Sequence, residues 1–400
     1  MRRGETALAI GYFTYFGAVG IFQPYWPVRL AALGIPAAGI GVLLAVASGM
    51  RLVAPLGTAW LADHVEDRRP LIVALAVAAV VATLALGVAE RPAVLAWTLA
   101  AYSLAFNGLM PVYDAHALER LGADAHRYGW LRLWGSLGFV ATSAMVGALI
   151  TRQGATVVPV ALAALVVLTA LACLVLPAAP VRHRVQPTAR AFFAAINAGP
   201  MRRLLAISFL HLSGFGAYYG FYSLYLRAHG YGATVIGCYW AFGVIAEITM
   251  FATAPRVLAR YRLGPLLRLA LGATVLRWVL VAACPDSRLL MLAAQTLHLA
   301  GFALFHSVTV LLGPRLLPPG SGARAQALVG CVGWGAGGVA GSLLAGALWS
   351  AWGPASAYWA GAILSLAALG LAFGALESPS EPPRGADRGL NCVAGATDSQ

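Results

Sequence analysis

The chain is a succession of apolar stretches, each long enough to cross a bilayer, separated by short breaks that carry Pro, Gly or charge. A spanning helix needs about 20 mostly apolar residues. Twelve segments reach that length: roughly 7–33, 36–62, 71–89, 93–118, 128–150, 155–177, 203–228, 232–256, 264–284, 287–313, 324–350 and 354–376. Composition agrees, with 60% hydrophobic and only 10% charged residues and a mean hydropathy of +0.79 over 400 residues. A soluble domain carries about 25% charged residues, so this chain cannot clothe a water-facing surface of its size. The prediction is an all-α integral membrane protein with twelve transmembrane helices.

The formal charge is +13, from 27 basic residues, all arginine, against 14 acidic ones. The arginines are dispersed between apolar blocks and form no patch, which argues against nucleic acid as a partner. Their placement instead sets topology. With the N-terminus in the cytoplasm, eighteen arginines fall inside and five (Arg29, Arg91, Arg152, Arg227, Arg288) outside; the reverse orientation inverts the ratio. A multi-pass protein of the plasma membrane follows, with both termini cytoplasmic and the bilayer as its environment. The first apolar run is too long and too aromatic for a cleaved signal peptide. Five scattered cysteines without CxxC spacing predict neither a metal site nor a disulfide framework.

The longest polar interruption, 178–202, divides the chain nearly in half. The halves also resemble each other. Gly34-Ile-Pro-Ala-Ala-Gly-Ile-Gly41 leads into span two, and Gly230-Tyr-Gly-Ala-Thr-Val-Ile-Gly237 leads into span eight 196 residues later. Gly147-Ala-Leu-Ile-Thr-Arg-Gln-Gly154 closes span five, and Gly346-Ala-Leu-Trp-Ser-Ala-Trp-Gly353 closes span eleven 199 residues later. The expected organisation is an N-terminal six-helix bundle (1–177), a cytoplasmic linker (178–202), a C-terminal six-helix bundle (203–376) and a disordered cytoplasmic tail (377–400). Parallel halves of this kind bind substrate where they meet.

Five formal charges lie near the middle of spans: Arg51, Asp114, Arg132, Glu247 and Arg277. Each costs about 2.5–3.5 kcal/mol at a helix centre, so they must pair or face a watery cavity. Three arginines against two acids leave one positive site for something else, and a substrate carboxylate would fill it. Arg51 and Glu247 each stand ten residues after a repeat glycine, Gly41 and Gly237. They are expected to face the same interface from opposite halves, as a salt bridge or as transport residues. Asp114 and Arg132 lie a few turns in from the break between spans four and five, so contact between them is reasonable. Span ten carries Gln295 and His298 on one face. A carboxylate near arginine and histidine can hold or release a proton according to what else is bound. Tyrosines in the repeat-related spans one and seven, including Tyr15 and Tyr219, point to a cavity wall able to stack a ring. Gly333-Trp-Gly-Ala-Gly-Gly338 matches GxGxxG but follows no strand, so it reads as close helix packing rather than a dinucleotide site.

Over about 7–376 the sequence resembles the major facilitator superfamily, in the branch of phenylpropionic acid permeases and, more distantly, lactose permease-like proton symporters. Gly11-Tyr-Phe-Thr-Tyr-Phe16, Tyr128-Gly-Trp-Leu-Arg-Leu-Trp-Gly-Ser136, Ala246-Glu-Ile-Thr-Met-Phe251, Leu276-Arg-Trp278 and Gln295-Thr-Leu-His298 carry the likeness. Leu61-Ala-Asp63 with Arg68-Arg69 is similar to a degraded form of the superfamily's signature loop. The resemblance implies two pseudo-symmetric six-helix bundles. It places substrate contact on Asp114 and Arg132, and proton coupling on Glu247, Arg277 and His298. Phe139 stands where the sugar symporters stack a tryptophan on the sugar ring, and Gly301 where they carry a further carboxylate. Both differences resemble phenylpropionate permeases.

The expected function is import of a small organic acid, aromatic in character, together with protons by alternating access. The carrier is expected to be a monomer, with no cofactor beyond the proton gradient. Arg132 is the expected anion receptor, with Asp114 as its resting partner, and Glu247 the expected proton carrier. Sugar–proton symport and a non-transporting nutrient sensor are the alternatives. Drug antiport lacks its Gly-Pro motif in span five, and a membrane enzyme lacks a nucleophile setting or a His/Asp cluster.

Overall fold

Twelve apolar helices follow one another in the computed structural model, which describes residues 3–179, 199–317 and 322–374. They are α1 (Arg3–Ala32), α2 (Ala37–Asp63), α3 (Arg69–Val88), α4 (Pro92–Leu121), α5 (Tyr128–Gln153) and α6 (Val157–Leu174) in the first half. The second half has α7 (Gly199–Ala228), α8 (Ala233–Arg260), α9 (Leu263–Ala283), α10 (Arg288–Arg315), α11 (Arg324–Trp352) and α12 (Ser356–Leu371). Eleven have the length and hydropathy of membrane spans. The twelfth, predicted over 354–376, is a helix of 16 residues, because the chain leaves helical geometry at Ala372–Gly374. Most of the predicted linker, 180–198, and the predicted tail lie outside the described residues.

The repeat read from glycines has a backbone cause. Gly34 and Gly230 close α1 and α7 at φ 80° and 78°, and Gly154 and Gly353 close α5 and α11 at φ 76° and 84°. A side chain would strain the backbone at each, so equivalent turns in the two halves need the same residue.

Packing repeats as well. In the first half α1 lies against α5 and α6, α3 against α4 and α6, and α2 against α4; in the second α7 lies against α11 and α12, α9 against α12 and α10, and α8 against α10. The halves meet through two related contacts, α2 on α11 and α5 on α8, with α1 on α7 behind them. Lipid shares the helices' apolarity, so association relies on close packing of small residues and on interhelical hydrogen bonds. Thr142 Oγ1 donates to Gly17 O at 2.8 Å between α5 and α1. Tyr225 Oη donates to Val281 O at 2.9 Å between α7 and α9. Gly216 of α7 and Gly341 of α11 let two backbones approach so closely that a Cβ on Gly216 would overlap the Gly341 carbonyl. Gly216→Leu is therefore expected to separate these helices at a cost of about 1–3 kcal/mol or more. Its melting temperature in detergent should fall, and an unchanged one would refute the close packing.

Several tight backbone approaches between the halves lie at the end of the bundle away from the termini. A Cβ on Gly41 would meet Ser342 O at 2.6 Å, and one on Gly147 would meet Ala233 O at 2.6 Å. Ala38 N donates to Ser350 Oγ at 3.0 Å, and the Thr151 and Thr234 hydroxyls lie 2.9 Å apart. This far end is closed. Toward the terminus end, Arg132, one turn into α5, is 39% exposed and Asp114, two turns from the end of α4, is 27% exposed, so the interior is reached from there. Trp60, Trp130 and Tyr261 are exposed at the terminus end and Trp97 and Trp352 at the far end, the positions of interfacial belts. At the terminus end Arg127 holds Glu5 through two bonds of 2.6 and 2.9 Å, and Arg68 pairs with Glu119.

Candidate functional site

The interior between the halves holds three polar groups, one on each of three helix sets. The first is on the N-terminal half. Proline 111 lies inside α4, and the Asp114 carboxylate three residues on accepts from Tyr12 Oη of α1 at 2.6 Å. Arg132 Nη1 of α5 lies 3.6 Å from the same Asp114 oxygen. Its guanidinium also lies over the Phe16 ring at 4.6 Å and Tyr12 at 5.8 Å. The expected Asp114–Arg132 contact is therefore present as an ion pair, with aromatic faces as a second source of stabilisation for the cation.

The second group joins α8, α9 and α10. Arg277 is fully buried. Its Nη1 lies 2.9 Å from His298 Nδ1 and its Nη2 donates to Gln295 Oε1 at 3.3 Å. Tyr218 Oη donates to the same Gln295 oxygen at 3.1 Å. The guanidinium also sits over Tyr218 at 4.1 Å and Trp278 at 4.6 Å. A guanidinium has only donors, so His298 Nδ1 must accept. In the neutral ring the proton is then on Nε2, which lies 3.7 Å from Glu247 Oε2. Arg277 thus fixes the tautomer that turns an N–H toward the carboxylate. Sequence reasoning named Glu247, Arg277 and His298, and the structure brings all three into one chain.

The third group is Arg51 of α2. Of the two expected roles for Arg51 and Glu247, the salt bridge is absent among the described residues, where Glu247 faces His298 instead. The reason is the packing. Helix α2 lies on α11 and α7, whereas α8 lies on α5, so repeat-equivalent positions face different neighbours. Arg51 instead lines an interior cavity with Phe22, Gln23, Ser48, Tyr219 and Trp334.

Of the aromatic candidates, Tyr219 lines this cavity and packs 5.7 Å from the Trp334 ring. Tyr15 stacks on Phe106 at 4.1 Å and spends its hydroxyl on Phe106 O at 3.1 Å. Phe139 is 6% exposed, 6.3 Å from the Trp240 ring, within the α5–α8 contact rather than on the cavity wall. Sequence reasoning placed Tyr12 and Tyr218 only within the aromatic clusters of spans one and seven, and gave neither Gln23 nor Trp334 as a site residue. The 196-residue repeat offset carries Tyr219 onto Gln23, a signal that would have found one of them. Helices α10 and α11 each contain a π-helical turn, Leu299–Leu304 and Cys331–Gly337. Such turns free backbone carbonyls and concentrate at functional sites; Gly301 O in the first meets His211 Nε2 at 2.9 Å, and Trp334 lies in the second.

Twelve helices in two repeat-related halves around an interior cavity are the architecture of a major facilitator transporter, not an enzyme. The chain belongs to the MFS_1 like family, whose model matches residues 6–360. It is 33% identical over 313 residues to the probable 3-phenylpropionic acid transporter of Escherichia coli (strain K12), covering 75% of this chain and 79% of that one. It is 28% identical over 342 residues to the maltose permease of Geobacillus stearothermophilus, covering 83% and 84%. Among solved structures, the nucleoside transporter NupG superposes with a TM-score of 0.81 over 93% of this chain and 98% of that one at 18% identity. The human organic anion transporter MFSD10 does so with a TM-score of 0.66 over 93% and 99% at 17% identity. At these identities the structural likeness concerns the fold.

Proposed function

We propose that this protein imports a small organic acid, aromatic in character, in symport with protons, by alternating access of its two halves. The observation that carries the coupling is the Arg277–His298–Glu247 chain, which ends on a carboxylate 17% exposed inside the bundle. Glu247 takes up and releases the proton; Arg277 and His298 orient it. The relative named a 3-phenylpropionic acid transporter supports the substrate class. Asp114 and Arg132, beside Tyr12 and Phe16 and near Tyr15, line the substrate's route on the N-terminal side, and Tyr219 lines the cavity beside Arg51. The arginine distribution supports a bacterial inner-membrane location with both termini cytoplasmic, so the closed far end is periplasmic and the cavity opens inward. The protein works as a monomer and needs no cofactor.

Purified protein in liposomes provides the test. An inward-directed proton gradient should drive uptake of 3-phenylpropionate, and a protonophore should abolish it. Uptake indifferent to the gradient overturns the coupling. Uptake of maltose but of no acid favours the second reading, a sugar symporter, for which the maltose permease relative is the specific support. Binding without any uptake would mark a sensor.

A further inference from the structure

The interior arginines are unequally provided for. Arg132 has Asp114 at 3.6 Å, and Arg277 has His298 and Gln295. Glu247 is engaged by His298. Arg51 has neither an ion pair nor a hydrogen bond among the described residues, and it faces the interior cavity between α1, α2, α7 and α11. An uncompensated guanidinium at mid-membrane is costly, so this position is built for a charge that arrives from outside the chain. Arg51 is the only charged residue in the lining; Gln23 and Ser48 add neutral hydrogen-bonding groups, and Phe22, Phe215, Tyr219 and Trp334 bound the remainder. One cation with no second one beside it matches a single carboxylate, which a guanidinium fork grips through two bonds. Aromatic faces on the other sides suit a flat apolar body and give a second acidic or phosphate group no partner.

We infer that Arg51, rather than Arg132, receives the carboxylate of a monocarboxylic acid whose aryl-sized body lies among Phe22, Phe215, Tyr219 and Trp334. This deepens the organic-acid reading and rests on it. Arg132 keeps Asp114 and shapes the route on the N-terminal side. Selectivity follows: arylalkanoates with one carboxylate bind, and the same skeleton with two binds worse.

Calorimetric titration of the full chain in detergent tests this, with 3-phenylpropionate and phenylsuccinate as probes. Loss of a charge-assisted pair is expected to weaken 3-phenylpropionate binding by Arg51→Gln about 10- to 100-fold, and phenylsuccinate should bind the wild type more weakly than the monoacid. If Arg51→Gln does not elute as a folded protein, Arg51→Lys, which keeps the charge and loses the fork, is read in the same way. A folded Arg51 variant whose affinity falls by less than about threefold, with the loss appearing in Arg132→Gln instead, overturns the inference and leaves the organic-acid reading intact. Phenylsuccinate binding as tightly as the monoacid also overturns it. A wild-type chain that binds maltose and no monocarboxylate overturns both.

Discussion

Glu247→Gln is expected to abolish accumulation of the organic acid while leaving exchange across the membrane within about threefold of wild type. Glutamine keeps the size and the hydrogen-bonding oxygen that His298 Nε2 faces at 3.7 Å, but it cannot release a proton. If one proton accompanies one carboxylate, the loaded carrier moves without net charge. Each pH unit of gradient then supplies about 1.4 kcal/mol, a tenfold accumulation. The variant should lose that tenfold factor and equilibrate substrate to equal concentrations. Arg277→Gln or His298→Ala would be poorer tests. Either strips a partner from a buried polar chain, and removing one partner of a buried charge costs about 3–5 kcal/mol of stability. The measurement is radiolabelled 3-phenylpropionate in proteoliposomes, uptake against counterflow. Undiminished accumulation by Glu247→Gln would remove Glu247 as the proton carrier.

The second large effect concerns closure of the far end. Gly41 on α2 and Gly237 on α8 are repeat-related, and both sit where a helix of one half lies backbone-to-backbone on the other half. A Cβ on Gly41 would lie 2.6 Å from Ser342 O and 3.0 Å from Gly346 Cα; one on Gly237 would overlap Ser143 O. Closure therefore requires glycine at both positions. Overpacking costs about 1–3 kcal/mol per site, and the two sites contact different helices, so their effects should nearly add. A combined ~4 kcal/mol moves the open–closed equilibrium about a thousandfold. Gly41→Leu with Gly237→Leu should hold the far end open and reduce transport at least a hundredfold, within that shift. Ser143, fully buried now, reports the change. As Ser143→Cys in a background with Cys238→Ala and Cys284→Ala, the two far-end thiols that are not buried, it should become reactive toward a polar thiol reagent added from the far side. Normal transport by the double variant would show that closure does not pass through these contacts.

Much of the fold was legible because membrane insertion writes itself into the sequence locally. Each span must satisfy its own backbone hydrogen bonds and bury an apolar exterior in lipid, so length and hydropathy locate it without tertiary information. The repeat was legible through Gly34, Gly154, Gly230 and Gly353, whose positive φ permits little else. The charged candidates were legible for the same reason, since a charge inside an apolar span has to be used. Their partners were less so. Arg277 and His298 were expected near Glu247 because they lie on successive spans, yet the order Arg277–His298–Glu247 comes from the direction of two ring nitrogens. Phe139 lay off the cavity because its position is set by the α5–α8 contact, which hydropathy does not register.

The sequence by itself determined a twelve-span membrane protein in two related halves, with charges in its interior that must be compensated. Local chemistry sufficed for this, because both the cost of a buried charge and the span length act residue by residue. Only the tertiary structure decided which charge answers which. Arg51 and Glu247 hold equivalent places in the repeat, but pseudo-symmetry pairs α2 with α11 and α8 with α5. The two residues therefore look into different parts of the interior, Glu247 toward His298 and Arg51 toward the cavity. The uncompensated cation that counting alone revealed is for this reason Arg51, a choice that depends on helix contacts nearly 300 residues apart such as Leu52 with Cys331.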